Sequence, residues 1–147
     1  MSAGTVVAGM KEDDEIEREI KAKGLTAPRV TPQRVEEVIA SEYYFTAMQG
    51  VEGSFGGAAS LANARIADEA RQPHSALDLL TICVLVLKNG FTLLGKGACA
   101  SPENFNAEVG RKVARIDAVN QIWTLEGYLL RQQLDEFQRG IVPGSGE

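Results

Sequence analysis

The chain is poor in the residues from which most reactive sites are built. Among its 147 residues are two cysteines, Cys83 and Cys99, and one histidine, His74. Their spacing fits no zinc-ligand pattern, and free cysteines of this kind behave as small buried apolar groups. A nucleophile with its base, a catalytic carboxylate pair and a glycine-rich phosphate loop are each poorly supported. The sequence therefore predicts no enzyme, no metal and no cofactor. No apolar run reaches the roughly 18–20 residues that a membrane span needs. The N-terminus, "MSAGTVVAGMKEDDEIEREIK", is acidic and lacks the charge pattern of a signal peptide, which predicts an intracellular protein. Basic residues are outnumbered, 15 Lys and Arg against 20 Asp and Glu. That balance argues against tight DNA or RNA binding, which needs an extended basic face.

What is present is one domain's worth of ordinary soluble sequence, 44% hydrophobic and 24% charged. It divides into an acidic extension (1–28), a single core domain (29–140) and a short tail (141–147). In the extension, "KEDDEIEREIKAKG" predicts a helix stopped at Gly24. Its two apolar residues, Ile16 and Ile20, predict weak docking. After the extended "LTAPRVTP", Thr31-Pro32 caps a second helix. Its inward side would carry Val35, Val38, Ile39 and Glu42, and the aromatics Tyr43-Tyr44-Phe45 would end it. Gly50, Gly53, Gly56 and Gly57 then break regular patterns, and "SLANARIADEARQ" reads as a further short helix.

The clearest unit is "ALDLLTICVLVLKNGFTLLGKGACA". A two-residue Asn89-Gly90 loop between apolar runs predicts a β-hairpin. That register sets Val86 opposite Leu93, Val84 opposite Gly95 and Cys83 opposite Lys96. It puts Cys83 and Cys99 on opposite faces, which argues against a disulfide. Both faces are apolar, so both should be covered. Helices can cover one, and a second copy of the chain could cover the other.

Ser101-Pro102 then reads as the start of a long helix. Phe105, Val109, Val113, Ile116 and Trp123 form its expected buried stripe. Gly110, Ala114 and Ala118 form a small-residue face that permits close approach of another backbone. Thr124 reads as the start of a second C-terminal helix. The expected fold class is α+β: a hairpin-based antiparallel sheet, two C-terminal helices and helical N-terminal segments. At about 100° per residue, Asn104, Glu108, Arg111 and Arg115 share one stripe of the long helix.

Several ordered pieces carry a resemblance. Asn89-Gly90-Phe91, the run Ala98 to Phe105, Gly110-Arg111-Lys112 and Trp123 to Tyr128 stand in one line, after "RVTPQRVEEVIASEYYFTA". Residues 29–135 thereby resemble a family of small tailed-phage proteins named for members in coliphage N4 and Shigella phage Sf6. Thr124 replaces a proline usual in that pattern, and Lys96-Gly97 replaces a polar or acidic pair. The sheet-then-helices order is also similar to the phage sponges that counter Thoeris defence. That second resemblance implies an oligomer in the host cytoplasm that sequesters a nucleotide signal, such as a cyclic ADP-ribose isomer or a cyclic oligonucleotide.

Two readings of the arginine stripe follow. One is a solvated helix face held by i,i+3 and i,i+4 pairs. The other is a phosphate pocket shared between subunits, with Arg111, Arg115 and Lys112 on phosphate oxygens. Asn104 would then read a base edge or a ribose hydroxyl, Phe91 would stack on a base, and Tyr43 would reach the ligand with its hydroxyl. The alternative function is a host-takeover protein that binds a host protein through the acidic N-terminal helix.

Overall fold

The computed structural model describes residues 3–25, 27–54 and 74–141. Helix α1 (Ala3–Ala22) is followed by α2 (Pro32–Glu37), strand β1 (Ile39–Thr46) and α3 (Ala47–Ser54). A 3₁₀ turn (Ser75–Leu79) leads into β2 (Leu80–Leu87) and β3 (Thr92–Ala98). A second 3₁₀ turn (Pro102–Asn104) precedes α4 (Ala107–Gln138). The sheet is antiparallel in the order β1-β2-β3, with α4 across one face. The fold is α+β, as the sequence predicts. The short helix read at 60–72 lies outside the described residues.

Several details differ from the sequence reading. The second helix is only six residues long. Thr31 Oγ1 accepts from the Arg34 N–H at 3.0 Å and caps it, but the helix ends at Val38. From Ile39 the run is β-branched and aromatic, and it pairs with β2 as a third strand. Tyr43, Tyr44 and Phe45 are therefore strand residues rather than a helix end. Gly50 and Gly53, read as breakers, lie within α3.

The hairpin is shifted by one residue. Leu85 pairs with Leu93, Val84 with Leu94 and Cys83 with Gly95. Its loop is Lys88-Asn89-Gly90, closed by Gly90 N–H to the Leu87 carbonyl and Leu87 N–H to the Phe91 carbonyl, both at 2.8 Å. Gly90 sits at φ +87°, which makes this a three-residue loop with the glycine at its left-handed position. A one-residue slip changes which face every β3 side chain takes relative to β2. Leu93 therefore joins Leu85 and Leu87 in the core, while Leu94 lies on the opposite face and is 61% exposed.

The long helix begins later than expected and runs unbroken. Ser101-Pro102 opens the 3₁₀ turn, and Asn106 caps α4 by accepting from the Val109 N–H at 3.0 Å. Thr124 does not restart it; the side chain is exposed, and a β-branched residue there costs only a few tenths of a kcal/mol in propensity, roughly. There is one C-terminal helix of 32 residues instead of two.

The buried side of α4 is its small-residue face. Ala114, Ala118 and Ile122 have no exposure, while Val113, Ile116 and Trp123 flank them half-buried. The close approach is made within the chain, to β3. A Cβ built on Gly95 would lie 2.5 Å from the Ala118 amide nitrogen and 2.7 Å from its Cβ, and closer still to the Ala114 carbonyl oxygen. One on Gly97 would lie 2.9 Å from the Gly110 carbonyl. Strand and helix meet backbone to backbone because the strand carries no side chain at Gly95 and Gly97 and the helix only methyl groups at Ala114 and Ala118. Around it the core holds Val35, Val38, Cys83, Leu85, Leu87 and Leu93.

Both cysteines are free. Cys83 is fully buried, and that burial pushes its thiol pKa up. Cys99 is half-buried just beyond β3, where its Sγ donates to the Ser101 carbonyl at 3.2 Å. A thiol reagent is expected to label Cys99 in the native protein and Cys83 only after denaturation. Intact-mass measurement with and without denaturant checks this; native labelling at Cys83 would contradict the packing described.

Candidate functional site

Arg115 lies on the side of α4 that faces β1 and α2. Its guanidinium is taken by two carboxylates. Nη1 and Nη2 donate to Glu36 at 3.1 and 2.7 Å, while Nε and Nη2 donate to Glu42 at 3.1 Å. Tyr44 Oη donates to the same Glu42 at 2.5 Å. Arg115 is only 25% exposed, so the pair is partly shielded from water. The bonds from Arg115 hold the Glu42 carboxyl below the usual carboxylate range against the opposing effect of burial, and Tyr44 adds to that. Burial first, and then the bond to Glu42, push the Tyr44 phenol well above its ordinary value. Arg115 is correspondingly held in its charged form.

Helical geometry explains why α2 and β1 both reach this group. Glu36 is in the last turn of α2, and Glu42 points to the α4 side of β1, next to Tyr44 opposite Cys83. Sequence reasoning missed this clamp because it placed Glu42 on a helix. The usable signal was a lone carboxylate inside a run of aromatic and β-branched residues. Such a group needs a cation when its strand packs against a helix.

Arg111 is one turn earlier on the same side of α4 and is exposed. Among the described residues it makes no ion pair and no hydrogen bond. Lys112 pairs with Glu108 at 3.3 Å, an exposed i,i+4 contact. Asn104 is not on α4; it ends the 3₁₀ turn before it. It lines a cavity of about 200 Å³ together with Gly97, Cys99, Ser101, Asn106 and Gly110. Val109 and Val113 also wall it, and Arg111, about 160° round the helix from both, does not. The hydroxyl of Thr81, buried and without a hydrogen-bond partner, sits against Gly110.

A larger cleft of about 380 Å³ lies on the other side of Arg115, between α1, α2 and α4. It is walled by Trp123 and by Glu12, Asp13, Asp14 and Glu36. Four carboxylates against one already paired arginine repel a phosphate. The smaller cavity is lined by no charged side chain. Among the described residues no His, Cys, Asp and Glu side chains are grouped to hold a metal ion.

The two remaining residues lie elsewhere in the chain. Phe91 is at the hairpin tip and 50% exposed. α4 meets β3 at Gly97 with Gly110 and at Leu94 with Gln121. The tip and Arg111 are thus at opposite ends of β3, roughly 20 Å apart at strand rise. Tyr43 is 54% exposed on the sheet face opposite α4, paired with Val84. A single chain therefore puts Arg111 and Arg115 on one side of α4 and Asn104 in a cavity on another, and leaves Phe91 and Tyr43 apart from both.

The first turns of α4 and the strand before it are where the chain can be compared with known proteins. Residues 30–134 match the phage protein (N4 Gp49/phage Sf6 gene 66) family. The chain belongs to that family. The match runs from the residue before Thr31-Pro32 to the middle of α4's overhanging end, and so takes in the Arg115 clamp and the Asn104 cavity. No curated protein and no solved structure matched the chain. No described helix of this phage-family protein is long and apolar enough to cross a membrane.

Proposed function

We propose that this phage protein binds a nucleotide-derived immune signal in the host cytoplasm and withholds it, uncleaved, in an oligomer. The observation that carries the reading is Arg111. It stands exposed and unpaired among the described residues, on the Arg115 side of the helix that also walls the cavity lined by Asn104 and Asn106. A planar guanidinium in that position can take a phosphate through two parallel hydrogen bonds. Asn104 offers both a donor and an acceptor to a base or ribose. The separation of Phe91 from Arg111 supports a pocket completed by a second copy, whose hairpin tip would bring the aromatic face. The resemblance to the Thoeris sponges points the same way and names the ligand class: a cyclic ADP-ribose isomer or a cyclic oligonucleotide.

The test is calorimetry of the full chain against a panel of these signals. Withholding a scarce signal from its receptor requires nanomolar affinity, about -12 kcal/mol. The bound molecule should be recovered from heat-denatured protein with its mass unchanged. Arg111→Ala should weaken binding at least about tenfold, the low end of a charge-assisted contact. Its melting temperature should match wild type, because the side chain is exposed. If no signal binds the wild type, the reading fails.

One observation favours a protein partner instead. α4 extends past its contact with α2, where Arg34 meets Glu126, and its end exposes Tyr128 (74%) and Phe137 (83%). A stoichiometric host protein captured by the wild type and lost in Tyr128→Ala/Phe137→Ala would support a host-takeover role.

A further inference from the structure

The two edges of the sheet are finished differently. In β3, Leu93, Gly95 and Gly97 exchange hydrogen bonds with β2, so the backbone groups of Leu94 and Lys96 point outward. Helix α4 covers them. Gln121 Nε2 donates to the Leu94 carbonyl at 2.7 Å, and Asp117 Oδ2 accepts from the Lys96 N–H at 2.9 Å. Lys96 also places a charge on the strand. Capping side chains and an edge lysine are the usual means of preventing strand addition.

At β1 the inward residues are Ser41, Tyr43 and Phe45, which leaves the N–H and C=O groups of Glu42 and Tyr44 pointing outward. Among the described residues these groups have no partner. The first capped position is Thr46, whose N–H is accepted by Gln49 Oε1 at 2.9 Å. The one charge in β1 is Glu42, and Arg115 neutralises it. An eight-residue aromatic edge without free charge is a template for another strand.

We propose that β1 pairs antiparallel with β1 of a second copy, about a two-fold axis at Tyr43, so that two three-stranded sheets become one. This register is self-complementary. The outward groups of Glu42 bond those of Tyr44 in the second copy, and the reverse. Tyr43 faces its own counterpart at a non-hydrogen-bonded position, where side chains come closest and aromatic pairs stabilise. No like charges meet, whereas an axis at Glu42 would set two carboxylates opposite each other. Strand addition stops at two, because Asp117 and Gln121 close the other edge of the described sheet, so β1 of one copy cannot add to β3 of the next. The pairing also sets the open faces on which Tyr43, Val84 and Leu94 lie side by side, as one continuous face of a six-stranded sheet. The inference is independent of the nucleotide reading.

Light scattering and amide hydrogen exchange of the full chain test it. Wild type should scatter as two copies of 15.8 kDa, or a multiple of that pair. Its Glu42 and Tyr44 amides should exchange slowly, although neither has an acceptor among the described residues of its own chain. Tyr43→Lys sets like charges opposite each other across the axis. It should halve the mass and free those two amides, with an unchanged circular dichroism spectrum. A monomeric wild type overturns the proposal. So does an oligomer in which Glu42 and Tyr44 exchange freely. If Tyr43→Lys fails to fold, the wild-type exchange pattern still decides.

Discussion

Gly95→Ala is expected to cost at least about 3 kcal/mol of stability, a fall of roughly 10 °C in melting temperature for a domain of this size. A single methyl group does this because of what it meets. The added carbon would be driven against the Ala114 carbonyl and the Ala118 amide nitrogen, the latter at 2.5 Å. Both are main-chain atoms in the middle of a continuous helix, so neither can turn aside as a side chain would. Relief requires α4 to lift from β3, which opens the layer containing Leu85, Leu93 and Ile122. Gly127→Ala is the matched control. Nothing lies within 4 Å of its added carbon, and a helix-interior glycine gains about 0.5–1 kcal/mol on becoming alanine. Chemical and thermal melts of the two variants should therefore move in opposite directions. Equal stability of Gly95→Ala and wild type would show that the backbone contact is not what sets the helix on the sheet.

The same contact shows how far the sequence could be read. The small-residue face of α4 was visible at Gly110, Ala114 and Ala118, and so was the spacing of Gly95 and Gly97 by two on one face of a strand. Matching these two patterns fixes the register: both glycines must face the helix, beside Cys83 and Thr81. The turn chemistry alone does not fix it. Asn-Gly serves a two-residue loop and also the end of the three-residue loop Lys88-Asn89-Gly90. The choice between them is made by packing far from the turn. Assigning the small-residue face to another subunit removed the one constraint that would have corrected the hairpin.

β1 was hidden for a different reason. Val35, Val38, Ile39 and Glu42 happen to repeat at helical spacing, and the cap at Thr31-Pro32 is real. What stops the helix at Val38 is tertiary. The exposed edge of β2 offers ladder bonds, and Tyr44 gains burial beside Cys83 that a solvent-facing helix could not give it. The candidate site was legible in parts. Arg111 and Arg115 share one side of α4, but Asn104 is not on that helix, and Arg115 is committed to partners 79 and 73 residues away in sequence. Contacts of that range leave no periodic trace in a single chain.

Arg115→Ala is expected to destabilise the protein by about 2 kcal/mol, less than a fully buried pair would lose because Glu36 remains half in water. This revises what the helical stripe alone implies, namely that the side chain can be removed without cost. The loss comes from what remains behind: Glu36 and Glu42 would face each other without their shared cation, with Tyr44 still donating to Glu42. The effect therefore depends on pH. Glu42 has a folded-state pKa depressed below its unfolded value, so its contribution in wild type is present above the ordinary carboxylate range and is lost as pH falls through the folded pKa. In the variant, protonation removes the repulsion instead. The stability gap between wild type and variant should be widest near about pH 7 and should narrow toward about pH 4. Glu42→Gln in the Arg115→Ala background should recover part of the loss, and a double-mutant cycle between the two positions should show coupling. A gap that does not change with pH, together with additive mutations, would mean that Arg115 contributes only the packing of its stem.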